Sequence, residues 1–445
     1  MTTVAEVRLW GTSIGAVSID SGTAAATAVA DFEYDSSFLA SGIQVSPIAM
    51  PLPSSPAHVY SFGNLSPQSF HGLPGLLADS LPDKFGNALI DAWLATQGRL
   101  PESFDAVERL CYTGTRGMGA LEFTPALGPK PRKSKKIKID ALVDLASEVL
   151  SHRNDLQVTF ADKDKEDSLK EILRVGTSAG GARAKAIIAW NEKTNEVRSG
   201  QIDVPPEFSY WLLKFDGVKD NKDKEIADPE GFGAIEYAYY KMAEKAGIKM
   251  NECRLMEENG RRHFMTRRFD RLMNGEKLHM QSLGGMAHFD FNMAGAYSYE
   301  QAFLVMRQLG LPLSDIEEQF RRMVFNIVAR NQDDHVKNIA FLMNQAGQWS
   351  LSPAYDLTYS YNSKGDWTNK HQMSLNNKRD NFTIEDLRAV AKGASMKRGL
   401  ADSIYDQVKD AVRQWETIAS DIDVMPEWIT QISNNLRLSF ADDDS

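Results

Sequence analysis

The chain has 445 residues and a formal net charge of -10, so its surface as a whole repels nucleic acid, and any DNA contact has to be a local patch or come through a partner. Hydrophobic residues make up 42% and charged residues 25%, the make-up of a globular protein with several cores. Two distant cysteines, Cys111 and Cys253, exclude a disulfide framework and fit a reducing cytoplasm; the first residues lack the basic-then-apolar pattern of a secretory leader and no apolar run approaches the ~20 residues of a membrane helix, so the expectation is a cytoplasmic protein with no membrane partner.

Residues 1–125 open with short alternating segments at 7–11 and 14–19, which predict a β-hairpin, followed by helices near 87–97 and 104–111. Residues 126–139 are rich in proline and lysine and predict a basic, solvated linker. Residues 140–275 mix strands and helices. Within them 208–215 alternates, with Trp211, Leu213 and Phe215 on one face and Tyr210, Leu212 and Lys214 on the other. Asp228-Pro229 offers an N-cap and a first-turn proline for a helix that carries Glu236, runs to Lys245 and stops near Gly247. A further strand is expected at 263–269. From 276 to 445 the chain is expected to be mainly helical, with a helix over 314–330 and a hairpin near 339–351.

The sharpest pattern is Asn331-Gln332-Asp333-Asp334-His335-Val336-Lys337-Asn338, on the loop between that helix and that hairpin. One hairpin later come Ser352-Pro353-Ala354-Tyr355-Asp356. An Asp-x-x-x-x-Asn loop followed by a second aspartate is the spacing of a phosphoryl-transfer site. One carboxylate receives the proton of an attacking hydroxyl; an amide oxygen and another carboxylate hold magnesium, a hard ion that takes oxygen ligands. Asp333 is then the base, and Asn338 and Asp356 are the metal ligands. His335 is open to two readings, a base or ligand and a neutral side chain that fixes the loop. By itself the Asp-x-x-x-x-Asn spacing also suits a polar, helix-capping loop.

Upstream, residues 175–185 form a small-residue stretch that includes Gly180, Gly181, Ala182, Arg183, Ala184 and Lys185. Such a stretch lets backbone N–H groups approach phosphate oxygens. Ala182 stands where a Walker A loop requires lysine, so it is not that motif. Its significance is order: small-residue loop, then the strand lysine Lys214, then the helix glutamate Glu236, which is the upper lobe of a kinase.

At residues 333–338 and 352–356 the sequence closely resembles HipA-type kinases. Residues 75–86, Gly-Leu-Leu-Ala-Asp-Ser-Leu-Pro-Asp-Lys-Phe-Gly, and 117–121, Gly-Met-Gly-Ala-Leu, resemble that family's N-terminal signatures, and Arg268-Phe269-Asp270-Arg271 resembles its hinge. The resemblance implies an α+β fold: a bilobal protein-kinase-like core with a β-rich N-terminal subdomain and a mainly helical C-lobe. It implies ATP and Mg2+ as cofactors, with the backbone of Arg267, Arg268 and Phe269 holding adenine. Lys214 and the 180–185 loop would hold phosphates, and His335, Lys337 and Tyr355 would line the nucleotide site. It further implies transfer to serine or threonine of a host protein, such as an aminoacyl-tRNA synthetase, and growth arrest. Autophosphorylation of Ser178, with Thr177 as the alternative, would silence the enzyme, because about two added negative charges repel ATP. The implied partner is a HipB-type helix-turn-helix antitoxin that brings operator DNA. Two other classes stay open on the residues alone: a catalytically idle co-repressor and a small-molecule kinase. Arg267 departs from the acidic hinge residue of some members.

Overall fold

The computed structural model describes residues 2–20, 28–128, 136–151, 172–173, 183–201, 204–218, 230–272 and 275–440. The expected first hairpin is strand β1 (Thr2–Leu9) paired antiparallel with β2 (Thr12–Asp20). Its two-residue connection, Trp10-Gly11, has positive φ at both positions (50° and 79°), the turn whose twist matches paired strands. β3 (Asp31–Tyr34), β4 (Val59–Ser61) and β5 (Leu121–Thr124) complete a five-stranded sheet in the order β4-β3-β2-β1-β5. Ala5, Val7 and Leu9 alternate inward to a core that also holds Leu76, Leu77 and Leu110. Helix α1 (Lys84–Thr96) starts where the Asp83 carboxylate accepts the Gly86 N–H at 2.6 Å. Helix α2 (Ala106–Thr113) starts with a capping box of Asp105 and Glu108, which satisfies orphan first-turn donors.

Helix α3 (Ile139–Ser151) leads to a second antiparallel sheet. Its strands are β6 (Lys185–Asn191), β7 (Glu196–Ser199), β8 (Ser209–Lys214), β9 (Cys253–Glu258) and β10 (Arg261–Arg267), in the order β7-β6-β8-β10-β9. Trp211, Leu213 and Phe215 point to one face, as expected, and pack with Phe85 and Leu89 of α1 and Val143 and Ala146 of α3. On the other face Phe264 meets Tyr240 of helix α4 (Phe232–Lys245). The deeper side of α4 joins the core of the helical part.

The start of α4 corrects the expectation of a local Asp-Pro cap. Asp228 and Pro229 lie outside the described residues, and the helix begins at Phe232, after Gly231. The cap comes from a distance: buried Asp216, just past β8, accepts the Gly231 N–H with both carboxylate oxygens at 3.0 Å and faces the Gly233 N–H at 3.4 Å. Tertiary structure thus supplies what a local side chain usually supplies.

Beyond β10 lies a short sheet of β11 (His279–Ser282), β12 (Ala340–Met343) and β13 (Trp349–Leu351), whose Met343 and Trp349 pack against the N-terminal core, together with a set of helices. These include α5 (Leu283–Ala287), α6 (Tyr299–Gln308), α7 (Leu313–Val328), α8 (Ile384–Gly393), α9 (Leu400–Val412), α10 (Trp415–Asp421) and α11 (Pro426–Ser433). The expected 339–351 hairpin is β12–β13. The expectation of helix elsewhere fails between Leu351 and Ile384, where the chain runs without a helix. Pro353, Gly365 and a run of asparagines, three of them with positive φ (Asn376, Asn377 and Asn381), favour turns there. Among the described residues no helix is long and apolar enough to cross a membrane.

Candidate functional site

The sheet and the helical part meet at a cluster of charges. Lys185 at the start of β6 and Lys214 at the end of β8 stand directly opposite each other in register. Like charges in that relation repel, so both need counter-charges. Lys214 Nζ lies 2.5 Å from Glu236 Oε1 and also contacts Asp356 Oδ1. Arg183 Nη1 takes the other oxygen of Glu236 at 2.8 Å, and its guanidinium lies 4.9 Å from the Phe232 ring centroid. Glu236 is 1% exposed, and the Asp216 cap two residues past Lys214 holds the helix that carries it. Strand and helix are thus locked together at two points.

Lys185 and Arg183 fold differently from a phosphate-cradling loop. Arg183 is buried against α4, and Lys185 is a strand residue whose Nζ lies 3.0 Å from Asp83 Oδ2. Ala184 is also buried. Gly180, Gly181, Ala182, Ser178 and Thr177 lie outside the described residues.

Below the sheet, α7 ends and Arg330 takes a left-handed conformation (φ 57°). The chain then forms the loop that carries the two adjacent aspartates. The Asp334 carboxylate is buried, with three partners: Tyr299 Oη at 2.7 Å, the Gln372 N–H at 2.7 Å and His371 Nδ1 at 2.8 Å. Burial works against its charge, but His371 and the hydrogen bonds prevail and hold its carboxyl below the usual range. Asp333 is the open one, its side chain 42% exposed. Its Oδ1 accepts the indole N–H of Trp367 at 2.8 Å, and His335 Nε2 stands 3.8 Å away. Asn338 donates from Nδ2 to the Asp333 carbonyl at 2.8 Å, which closes the loop and leaves its Oδ1 as an acceptor. Lys337 sits with Nζ 4.4 Å from the Phe291 ring centroid.

Asp356 joins this loop to the lysines. Its neighbour Tyr355 donates its hydroxyl to the Lys337 carbonyl at 2.6 Å, and Asn331 donates to the Asp356 carbonyl at 3.3 Å. Asp356 has φ 54°, a conformation rare enough in a non-glycine residue to mark a constrained position. Burial opposes its charge, yet the Lys214 ammonium, with Lys185 and His335 behind it, outweighs burial and holds the carboxyl down at about 2. Burial likewise works against the Lys214 ammonium, and Asp356 and Glu236 together raise it above the ordinary lysine range.

At the hinge, the Arg267 N–H donates to the Glu252 carbonyl at 2.8 Å and the Arg268 N–H to the Tyr210 carbonyl at 2.9 Å. These two amides, expected to hold adenine, are engaged within the sheet, and the Arg267 carbonyl accepts from Asn251 Nδ2 at 3.1 Å. The Phe269 ring lies 5.7 Å from that of Tyr355, so the 268–271 and 352–356 segments meet here. The Arg268 side chain turns inward to grip buried Asp270 at 2.9 and 2.6 Å, and Arg271 joins at 2.7 Å. Asp270 Oδ2 also accepts the Gly119 N–H at 2.7 Å. A Cβ at Gly119 would lie 2.8 Å from the Met280 amide, so only glycine fits this approach. The 117–121 and 268–271 motifs are therefore two halves of one contact.

The structure brings Lys214, Glu236, Asp333, His335, Asn338, Tyr355 and Asp356 together. Sequence reasoning missed Trp367, Asp334 and Asp83. Asp334 stood beside Asp333 with nothing to separate the two, and Trp367 lies in the turn-rich stretch expected to be helical. Among the described residues no group of three or more His, Cys, Asp and Glu forms a ready-made metal site. The pair Asp356 and Asn338 fits instead an ion such as magnesium, which accepts one or two protein oxygens and completes its shell from water and phosphate.

Residues 177–415 match the family model of the HipA-like C-terminal domain, and residues 5–124 match that of the HipA N-terminal domain. Among solved structures, a chain of the Shewanella oneidensis MR-1 toxin–antitoxin complex of HipA, HipB and operator DNA superposes with a TM-score of 0.66 at 17% identity, over 97% of this chain and 95% of that one. At that identity the likeness is one of fold. The relative "Putative kinase Y4dM" of Sinorhizobium fredii (strain NBRC 101917 / NGR234) is 24% identical over 249 residues, taking in 50% of this chain and 55% of that protein. This chain thus matches about half of that relative's length. The C-terminal model alone spans more than half of the chain and takes in Lys185, Lys214, Glu236, Asp333, Asn338 and Asp356, and with it the chain belongs to the HipA family.

Proposed function

We propose that this chain is an ATP- and Mg2+-dependent serine/threonine protein kinase, the toxin of a toxin–antitoxin pair. The observation that carries the reading is the convergence of Lys214, Glu236 and Asp356 on the loop that presents Asp333 and Asn338. Asp356 and Asn338 are the oxygens that would hold magnesium, which would neutralise phosphate charge during transfer. Lys214, fixed by Glu236, offers its ammonium to phosphate oxygens. Asp333, oriented by Trp367, receives the proton of the attacking hydroxyl. Phe269 and Tyr355 supply an apolar wall for the purine. The chain divides, on this reading, into an N-terminal subdomain (1–125), a linker (126–139), an upper lobe (140–275) and a lower lobe (276–445).

Family membership supports a HipB-type antitoxin as partner, with operator DNA reached mainly through it, because a chain of charge -10 is a poor general DNA binder. The acceptor would be a host protein of the translation machinery, and autophosphorylation at Ser178 would end activity. The site of action would be the cytoplasm. The test is incubation of pure protein with Mg2+ and γ-labelled ATP, then mapping of the label by mass spectrometry. Label on Ser178 or Thr177 that is lost in Asp333→Gln supports the reading. Protein that neither binds nucleotide nor takes up label is a scaffold, and label found only on an added small molecule marks a small-molecule kinase.

A further inference from the structure

We propose that Asp83, which belongs to the N-terminal signature segment and to neither lobe of the kinase core, is a positioning residue for the nucleotide site, fixing Lys185 beside Lys214 at the phosphate end of the cleft. The inference rests on the kinase reading above and names a residue that this reading does not use.

Three observations carry it. First, Lys185 and Lys214 are cross-strand neighbours on one face of the sheet, and two opposed ammonium groups are stable there only with separate counter-charges. Glu236 and Asp356 serve Lys214. Asp83 Oδ2 lies 3.0 Å from Lys185 Nζ, with the two side chains 4% and 3% exposed, and removing one partner of such a buried pair is costly.

Second, Asp83 is itself held by backbone. Its Oδ1 accepts the Gly86 N–H at 2.6 Å and caps α1, so the carboxylate that meets Lys185 has little freedom. On balance burial pushes this carboxyl up, against the downward pull of the Lys185 ammonium and the Gly86 N–H.

Third, the same segment is also anchored away from that sheet. Asp79 accepts the Ser282 N–H at 2.7 Å and the Ser282 hydroxyl at 2.8 Å, where α5 begins. One short segment therefore ties a lysine of the upper sheet to the start of α5. Lys185 also reaches Asp356 electrostatically, so its placement bears on the proposed metal ligand. The consequence is that docking of the N-terminal part brings the Asp83 carboxylate to Lys185 at the phosphate end of the site, against its repulsion by Lys214.

The test uses the full chain with Mg-ATP, reading ADP release in a coupled assay to give KM for ATP and kcat. Asp83→Asn removes the charge but keeps the cap, since asparagine caps as well as aspartate. It is expected to raise KM for ATP on the order of tenfold with kcat within about twofold of wild type. Lys185→Met should do the same, and Lys185→Met combined with Asp83→Asn should be no worse than Lys185→Met alone, because the two residues act as a unit. If Asp83→Asn alone does not fold, the comparison of the double variant with Lys185→Met decides. An unchanged KM in Asp83→Asn, or independent effects that multiply in the double variant, overturns the proposal. Absence of ADP release from wild-type protein instead overturns the kinase reading, and this inference with it.

Discussion

Trp367 and Asp333 lie 34 residues apart and meet through a 2.8 Å bond from the indole N–H to Oδ1 of the carboxylate. That bond gives the proposed base one occupied and one open oxygen. It also separates Asp333 from Asp334, whose carboxylate is used up inside the fold by Tyr299, His371 and the Gln372 amide.

Replacing Trp367 with Phe keeps the ring and removes the donor. A hydrogen bond to a charged group is worth about 1.5–3 kcal/mol, so kcat is expected to fall on the order of tenfold or more, with KM for ATP nearly unchanged. Steady-state kinetics of phosphate transfer check this. A rise in KM with kcat intact would mean that the indole serves nucleotide binding and not the base.

Glu236 balances two buried cations, Lys214 at 2.5 Å and Arg183 at 2.8 Å. Glu236→Gln leaves both without full compensation, and breaking a buried pair from one side costs about 3–5 kcal/mol. Chemical denaturation should show that loss. Glu236→Gln combined with Arg183→Met should recover part of it, because one uncompensated charge is gone; failure to recover would place the cost elsewhere.

Two buried histidines make the fold sensitive to acid. His263 on β10 accepts on Nδ1, at 2.9 Å, the N–H of Asp216, the residue that caps α4. His279 is buried at the β11 edge, 5.6 Å from Trp349. Burial holds each near pKa 4, below the ordinary 6.5. The unfolded chain then binds protons near pH 6.5 while the folded chain does not, so this stability is complete above that pH and is lost as pH falls toward 4. From pH 7 to pH 5 the loss is about 2 kcal/mol per histidine. Urea denaturation at the two pH values measures it, and His279→Leu should shrink the difference. Equal stability at pH 7 and pH 5 would contradict the assignment.

Much of the site was legible because its chemistry is written in chain order. Lys214 on a strand, Glu236 on the next helix, and Asp333, Asn338 and Asp356 around a hairpin needed only strand and helix periodicity to be placed near one another. What stayed hidden depended on contacts between distant segments. The capping of α4 by Asp216 is invisible locally, whereas Asp228-Pro229 looks like a cap. Lys185 reads as the end of a small-residue loop, yet it is the first residue of β6 because its backbone pairs with Lys214. The 75–86 and 117–121 signatures were recognisable as motifs, but their purpose appears only where Asp79 and Asp83 meet Ser282 and Lys185, and Gly119 meets Asp270. The stretch that carries Trp367 and His371 has no periodicity at all, and its order comes from the buried Asp334 it surrounds.

The central claim is that Asp356, Asn338 and Lys214 form one magnesium–nucleotide site. Isothermal titration of ATP into the full chain, with and without Mg2+, tests it in wild type and in Asp356→Asn. The expected result is ATP binding that Mg2+ strengthens in wild type, with that strengthening reduced on the order of tenfold or more in the variant, because a carboxylate ligand has been lost. Equal Mg2+ dependence in the two proteins would contradict the account.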